Sequence, residues 1–320
     1  MLRIGFAGAG FIAGVHAEVL AGPPDVRVAA VFDPDGERAE ALSAKTGARA
    51  VSSYEALLSE VDAVYICTPN ALHAGMAIAA LDAGLHVFSE KPVATSPGDA
   101  RRVRETAANT RGVYQIGFNK RFARIYVELK ERIDSGALTP RWALLKMNRG
   151  ELQKPPWVAD PALTGGFLYE TPIHILDLAR WLFGPPRDVF CRASEQLDDF
   201  AAVLSFQSGL SAAFCSSAQT TWLFPFERVE VYGEHAIAAS EEMDRVTFQL
   251  DLEAAPETVD VSQLPIAERW GYRAESEAFL AAVRGERLAA VGVEDGALAV
   301  ELVDALYRSA ETGQPVTLGE

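Results

Sequence analysis

Over the first 120 positions, short apolar runs alternate with stretches of helical spacing. The runs are Leu2–Ala7, Val26–Phe32, Ala63–Cys67, His86–Ser89 and Val113–Phe118. Between them, Ile12–Leu20, Gly36–Thr46, Leu72–Ala83 and Pro97–Asn109 carry the 3.6-residue pattern of helices. An apolar run that alternates with helices suits a strand covered on both faces, so this half predicts a doubly wound parallel sheet. After a further helix at Phe122–Ser135 the rhythm changes. Trp142–Asn148, Phe200–Phe206, Leu210–Ser216, Arg228–Tyr232 and Val246–Leu252 read as longer strands with hairpin-like turns such as Gln207-Ser208-Gly209. That is the signature of an antiparallel sheet, here joined by helices at Tyr272–Val283 and Val293–Ser309. The fold class is therefore α/β with two domains, 1–120 and 121–320.

Phe200–Phe206 sharpens the picture of the second domain. One face presents Phe200, Ala202, Leu204 and Phe206, yet the other carries Ala201, Val203 and Ser205 and is also mostly apolar. A second apolar face calls for a cover, and a partner copy of the chain is the expected one.

Composition excludes several classes. With 320 residues, 49% hydrophobic and 23% charged, the chain has ordinary globular composition and room for two cores. A net charge of -15 argues against nucleic acid or an anionic membrane as partner, because phosphates are bound through excess Lys and Arg. Cys67, Cys191 and Cys215 show neither C-x-x-C nor ligand-like spacing, so neither a disulfide framework nor a metal site is expected. A reducing cytoplasm fits these three thiols. The apolar start, Met1 to Leu20, resembles a signal peptide superficially, but its glycines fall where a phosphate turn needs them.

That turn is Gly8-Ala9-Gly10-Phe11-Ile12-Ala13, set between a strand and a helix. Gly8 suits a tight turn, Gly10 lets the backbone approach a pyrophosphate, and small Ala13 lets the helix pack close to the sheet. The N–H groups of Phe11 and Ile12 at the helix start then face the phosphates. Asp33, at the end of the second strand, takes the place of the acid that binds the ribose hydroxyls of NAD. It disfavours the 2′-phosphate of NADP, and Arg38, the nearby cation, is expected to pair with Asp35 or stack on adenine.

Two further segments carry chemistry. Glu90-Lys91-Pro92 places a cation at the carboxyl end of a buried strand, where doubly wound sheets bind ligands, and Pro92 limits how Lys91 points. Gly165-Gly166-Phe167-Leu168-Tyr169-Glu170-Thr171-Pro172-Ile173-His174 opens a helix running to Phe183, with Thr171 as N-cap and Pro172 as first helical residue. His174 sits in the first turn, where the helix dipole opposes its charged form and Glu170 favours it, as suits a general acid/base. Asp177, three residues on, either orients His174 or serves the structure. His16 and His73 read as helix caps. Trp157, in the Pro155-Pro156-Trp157 loop, either stacks on a sugar ring or anchors the loop, and Trp222, before Leu223-Phe224-Pro225-Phe226, reads as packing or interface.

Together the glycine turn, Thr68-Pro69-Asn70 with His73 following, H-V-F-S-E-K-P, G-F-N-K-R-F and the Gly-Gly to His-x-x-Asp helix resemble the Gfo/Idh/MocA oxidoreductase family. The resemblance covers nearly the whole chain. It implies an N-terminal Rossmann domain, a C-terminal substrate-binding and oligomerisation domain with an open, largely antiparallel sheet, and a homodimer or homotetramer. It further implies hydride transfer between NAD(P) and a carbinol carbon of a sugar, cyclitol or related polyol. By resemblance, Lys91 steadies the reacting oxygen, His174 moves its proton and Glu170 stands where an Asp is usual. Thr68, Pro69, Asn70, His73, Glu90 and Asn119 serve the cofactor side and Arg121 the substrate, to which the loop's Trp157 is a further candidate contact read from its own position. Pro172 replaces a common Gly, and with Glu170 leaves the substrate open. Two other functions share such a chain: NAD-dependent glycoside cleavage through transient oxidation, and a non-catalytic nucleotide sensor.

Overall fold

The computed structural model describes residues 1–223 and 225–319. Phe224, part of the expected packing segment, lies outside them. The chain divides into two compact units, Met1–Phe118 with Tyr272–Val300, and Asn119–Gly271 with Glu301–Glu320.

The first unit is built on β1 (Leu2–Ala7), β2 (Val26–Phe32), β3 (Arg49–Ala50), β4 (Ala63–Ile66), β5 (His86–Glu90) and β6 (Tyr114–Gly117). They form one six-stranded sheet in the order β3-β2-β1-β4-β5-β6, with every pairing parallel. The helices are α1 (Phe11–Leu20), α2 (Gly36–Thr46), α3 (Tyr54–Leu58), α4 (Asn70–Asp82) and α5 (Pro97–Ala108). This is the Rossmann arrangement. β3 and α3 escape the pattern because each is too short to show a period.

The expected boundary at residue 120 needs one correction. A returning helix of this unit, Tyr272–Val283, buries Ala278, Phe279, Leu280 and Ala282. Phe279 and Leu280 join the core of Ile4, Phe6, Tyr65 and Phe88, and Phe279 meets Tyr65 and Phe88 edge to face. Periodicity shows which face of a helix is apolar, but not which sheet receives it.

The second unit begins with a 3-10 turn at Asn119–Phe122 and α6 (Arg124–Asp134). It continues through β7 (Trp142–Met147), α7 (Pro161–Thr164), α8 (Phe167–Glu170), α9 (Ile173–Phe183), β8 (Pro186–Ala193), β9 (Asp199–Phe206), β10 (Ser211–Ser217), β11 (Glu227–Tyr232), β12 (Ile237–Glu241), β13 (Arg245–Gln249) and β14 (Glu257–Asp260). Next come α10 (Ile266–Arg269), the returning helix α11 (Tyr272–Val283) in the first unit, and α12 (Val293–Thr312), within which the unit boundary falls. β15 (Val316–Thr317) completes a nine-stranded sheet ordered β14-β13-β12-β11-β7-β10-β9-β8-β15. Its pairings are antiparallel except β7 with β10. β13 ends at Gln249, short of the expected Leu252. In β9, Phe200, Ala202, Leu204 and Phe206 are buried, while Ala201 and Val203 are exposed in the single chain.

Candidate active site

At the nucleotide end of the first unit, β1 delivers the chain into Gly8, whose φ is +90°. A side chain there would collide with the Cys67 carbonyl, so only glycine makes this turn. Gly10 is the N-cap of α1, which has no side-chain cap, and a Cβ on it would meet no protein atom within 4 Å. The helix start therefore keeps donors and open space for a pyrophosphate, as the sequence predicts for Phe11 and Ile12. Phe11 itself is 76% exposed.

Asp33 closes this corner. Its Oδ2 accepts the Ala9 N–H at 2.8 Å and its Oδ1 accepts the Asp35 N–H at 2.9 Å. A carboxylate has about four lone-pair sites, so acceptor capacity remains for two ribose hydroxyls. Arg38 pairs with Asp35 at 3.1 Å, on the exposed surface. Asp35 also caps α2 through the Glu37 and Arg38 N–H groups. These residues fit an adenine dinucleotide.

The next two loops are tied together by His73. It is buried in α4, and its Nδ1 lies 2.7 Å from the Pro92 carbonyl and its Nε2 2.8 Å from the Thr68 carbonyl. This departs from the expected helix cap, since Pro69 is the N-cap and no side chain caps α4. Both ring nitrogens thus lie within hydrogen-bond distance of protein carbonyls, and His73 joins the loop after β4 to the segment after β5. Burial pushes its pKa down, against the pull of the two carbonyls. Asn70, expected in a loop, is the first residue of α4 and is buried.

Lys91 follows β5 and is half-buried, and the Lys91–Pro92 peptide is cis. Its N–H donates to Oε2 of Glu90 at 3.3 Å. Glu90, 8% exposed, also lies 3.0 Å from Nε2 of the fully buried His16. His16 is thus no helix cap. Its Nδ1 is 3.2 Å from Ser276 Oγ, and Glu275 Oε1 lies 4.0 Å from its Nε2. His16, Glu90 and Glu275 bring three potential ligand atoms within 4.8 Å of one another. The spacing of Cys and His could not reveal this cluster, because its members lie far apart in sequence.

In the second unit, His174 is half-buried in the first turn of α9. The expected cap is corrected: Pro172 is the N-cap and Ile173 the first helical residue. The Thr171 hydroxyl instead accepts a hydrogen bond from Arg149 Nη1 at 3.3 Å. The same Nη1 lies 3.4 Å from Oε1 of Glu170, which ends α8 and is buried. Arg149 also donates to the Glu151 carbonyl at 2.9 Å and the Lys154 carbonyl at 3.3 Å. Arg149 thereby ties Glu170 to the Pro155–Trp157 loop.

Asp177 on α9 is paired with guanidinium groups. It is fully buried and takes two hydrogen bonds from Arg121, Nε at 2.8 Å and Nη2 at 2.6 Å, with Arg180 at 3.6 Å. Arg121, expected at the substrate, is itself buried in this pair. Asn119 donates to the Trp270 carbonyl at 2.9 Å, while its buried Oδ1 has no hydrogen-bond partner among the described residues. Its amide nitrogen is thus held within the second unit. Next to it, Lys120 is buried against Glu227, which also accepts from the Tyr126 hydroxyl at 2.5 Å. Trp157 sits half-buried in a 3-10 turn at Pro156–Ala159. Trp222 packs over Gly150, where any side chain would overlap its ring.

Arg149, His16 and Glu275 are the residues that sequence reasoning missed. Glu275 left one signal: it stands four positions before Phe279 on the apolar face of α11, where a lone acid is out of place. Arg149 left none, since its partners are chosen by the fold.

Comparison with known proteins places this geometry. Residues 2–118 match the Gfo/Idh/MocA family model described as an oxidoreductase family, NAD-binding Rossmann fold, and residues 139–318 match its C-terminal alpha/beta domain. Inositol 2-dehydrogenase of Rhizobium meliloti is 30% identical over 99% of both chains. D-glucoside 3-dehydrogenase of Escherichia coli is 29% identical, covering 99% of this chain and 97% of the relative. The structure of GenD2 from gentamicin A biosynthesis, in complex with NAD, superimposes with a TM-score of 0.87 at 25% identity, over 100% of this chain and 97% of that one. With a glycine turn, an acid after β2 and a Glu-Lys-Pro segment after β5, and with 2–118 and 139–318 matched by the two family models, the chain belongs to the Gfo/Idh/MocA oxidoreductase family.

Proposed function

We propose that this protein is an NAD-dependent dehydrogenase that works on one carbinol carbon of a sugar, cyclitol or related polyol. The relatives named for inositol and glucoside oxidation support that substrate class. The observation that carries the reading is Lys91, anchored through its main chain to a buried Glu90 at the carboxyl end of β5. NAD, which the glycine turn and Asp33 would hold, would supply the hydride acceptor or donor. Lys91 donates a hydrogen bond to the reacting oxygen and stabilises the charge that builds there. His174 takes the hydroxyl proton as that charge develops, and returns it in the reverse direction. Glu170, its charge balanced by Arg149, shapes the substrate side together with Trp157.

Asp33 sets the cofactor. Its carboxylate receives ribose hydroxyls and repels a 2′-phosphate, by about 4 kcal/mol for two unit charges 4 Å apart in a partly screened site. The apolar outer face of β9, with Val203 48% exposed, supports a second copy of the chain as cover, in a dimer or tetramer. All three cysteines are free thiols, which suits a reducing cytoplasm. Among the described residues, no helix is long and apolar enough to cross a membrane.

The test is NADH absorbance across a panel of polyols and sugars, run beside chromogenic glycosides. The expected result is NADH formation with at least one polyol, lost by about 10³-fold in Lys91→Met and by about 10²-fold or more in His174→Ala, while NAD still binds. Undiminished turnover in Lys91→Met overturns the assignment. Glycoside cleavage without net NADH would transfer the site to transient oxidation chemistry, and NAD binding without any turnover would make the chain a sensor.

A further inference from the structure

The cluster behind Lys91 contains more acid than the proposed reaction uses. Glu275 is fully buried on α11, and neither of its carboxyl oxygens has a hydrogen-bond partner among the described residues. Its main chain is well held, with the carbonyl accepting Gln115 Nε2 at 2.7 Å, so the side chain is presented from a fixed stem. The titratable groups facing it are His16 from α1, Tyr65 from β4, Cys67 just beyond β4, and Glu90 from β5. None of these is a permanent cation. An ionised Glu275 would thus sit desolvated beside a second carboxylate, an arrangement that proteins avoid by keeping one proton. Burial first, and the Glu90 charge second, hold the Glu275 pKa well above the usual carboxylate range.

The neighbours show what that proton serves. His16 is fully enclosed, its ring 4.9 Å from Phe88, 5.3 Å from Tyr65 and 5.7 Å from Tyr272 between centroids. A neutral ring satisfies both its contacts at once: Nε2–H donates to Glu90, and Nδ1 accepts from the Ser276 hydroxyl. From the other side, a Cβ on Gly117 would stand 3.3 Å from the Glu90 carboxyl carbon and both its oxygens, so β6 leaves that group little room to swing. Glu90 is therefore confined on one side by β6 and held on another by His16, and a Glu275 carboxyl oxygen lies within 4.8 Å of it. Its remaining oxygen takes the Lys91 N–H.

We propose that His16 and Glu275 are positioning residues for Lys91: the His16 ring holds the Glu90 carboxylate that takes the Lys91 N–H, and Glu275, buried within 4.8 Å of that group with no permanent cation beside it, leaves Glu90 in place only as the neutral acid. This rests on the assignment of Lys91 to the reacting oxygen. Ionising Glu275 would set two carboxylates against each other, displace Glu90 and misplace Lys91. The rate then falls on the alkaline side while NAD binding at the glycine turn continues. A metal ion is the competing occupant of the same three side chains, and the test separates the two.

Three measurements on the full-length enzyme decide it. Infrared spectra of the protein without cofactor should contain a buried carboxylic-acid carbonyl band that Glu275→Gln removes; its absence overturns the proposal, whatever Lys91 does. Glu275→Gln, which imitates the neutral acid in shape, should keep kcat near wild type and lose the alkaline limb of the kcat profile. Glu275→Ala and His16→Ala should each lower kcat about tenfold or more with the NAD Kd unchanged, as expected when a reacting group is misplaced rather than removed. A Glu275→Gln profile identical to wild type, or a stoichiometric divalent metal in the purified protein, overturns the positioning role. Lys91→Met is assayed alongside: if it retains turnover, the Lys91 assignment falls, and the infrared result still reports on Glu275 by itself.

Discussion

Around His174 the buried carboxylates are matched to guanidinium groups, whereas behind Lys91 two buried carboxyls share one imidazole. Asp177 has Arg121 and Arg180, and Glu170 has Arg149. Glu90 and Glu275 have His16 between them. The matched region sets each buried carboxylate against a guanidinium, a cation that does not titrate. The acid-rich region must instead hold a proton, and it becomes sensitive to alkali. One side of the proposed chemistry is thus set by geometry, and the other by protonation state.

The sharpest way to break this comparison is to remove one acid from each region. Asp177→Ala strands Arg121 in the interior without its two-point partner, and should destabilise the protein by about 3–5 kcal/mol. Guanidinium denaturation with an unchanged m-value measures it. Glu275→Leu removes an acid that has no cation, and should change stability by less than about 1 kcal/mol or raise it, despite lost activity. Equal losses in the two variants would show that Glu275 is as firmly paired as Asp177. The sign with pH follows from the raised Glu275 pKa. Its contribution to stability is full below the unfolded carboxyl value, and is lost as pH rises toward the folded one. The alkaline loss of stability should therefore be smaller in Glu275→Gln than in wild type.

The same contrast explains what could be read from the chain. The parallel sheet and the glycine turn were legible because their signals are local: period, turn residues, and an acid at a fixed offset. Lys91 and His174 carried motif context, so their placement at the end of β5 and the start of α9 could be anticipated. The charge partners could not. Arg121 and Asp177 lie far apart in the chain, as do His16 and Ser276, and no periodicity links them. Thr171 shows a subtler limit, since its sequence context suits an N-cap, but tertiary structure brought Arg149 to its hydroxyl. The edge strands β14 and β15 and short β3 lacked a readable pattern because two to four residues cannot establish alternation. β8, in contrast, is eight residues long, but its burial is broken by Arg187 and Arg192.

A smaller effect tests whether the matched and unmatched regions act on chemistry alone, or also on cofactor choice. Asp33 lies beside the glycine turn, and in the proposed function its charge is what separates NAD from NADP. Asp33→Ser should improve kcat/KM for NADP relative to NAD by about 10- to 10³-fold, the span set by bulk-water and partly screened charge repulsion. Rates with both cofactors on one substrate measure it. A ratio unmoved by the substitution would place cofactor discrimination elsewhere.

The smallest expected effect belongs to His73, which titrates in the opposite sense to Glu275 and so completes the comparison. Its folded pKa is depressed by burial, although the Pro92 and Thr68 carbonyls oppose that depression. A group of this kind stabilises the fold fully at pH above its unfolded value, about 6.5, and loses that contribution as pH falls through the folded one. Between pH 7.5 and 5.5 the wild-type protein should lose stability through this residue, with a shallower slope in His73→Asn. Because His73 joins the loop after β4 to the Lys91–Pro92 segment, the substitution should also raise the KM for NAD more than it lowers kcat. A flat difference between the two stability curves across this range would show that His73 gains as much from its two carbonyls when charged as it loses to burial, leaving alkaline titration of the Glu275 cluster as the protonation event that matters to Lys91.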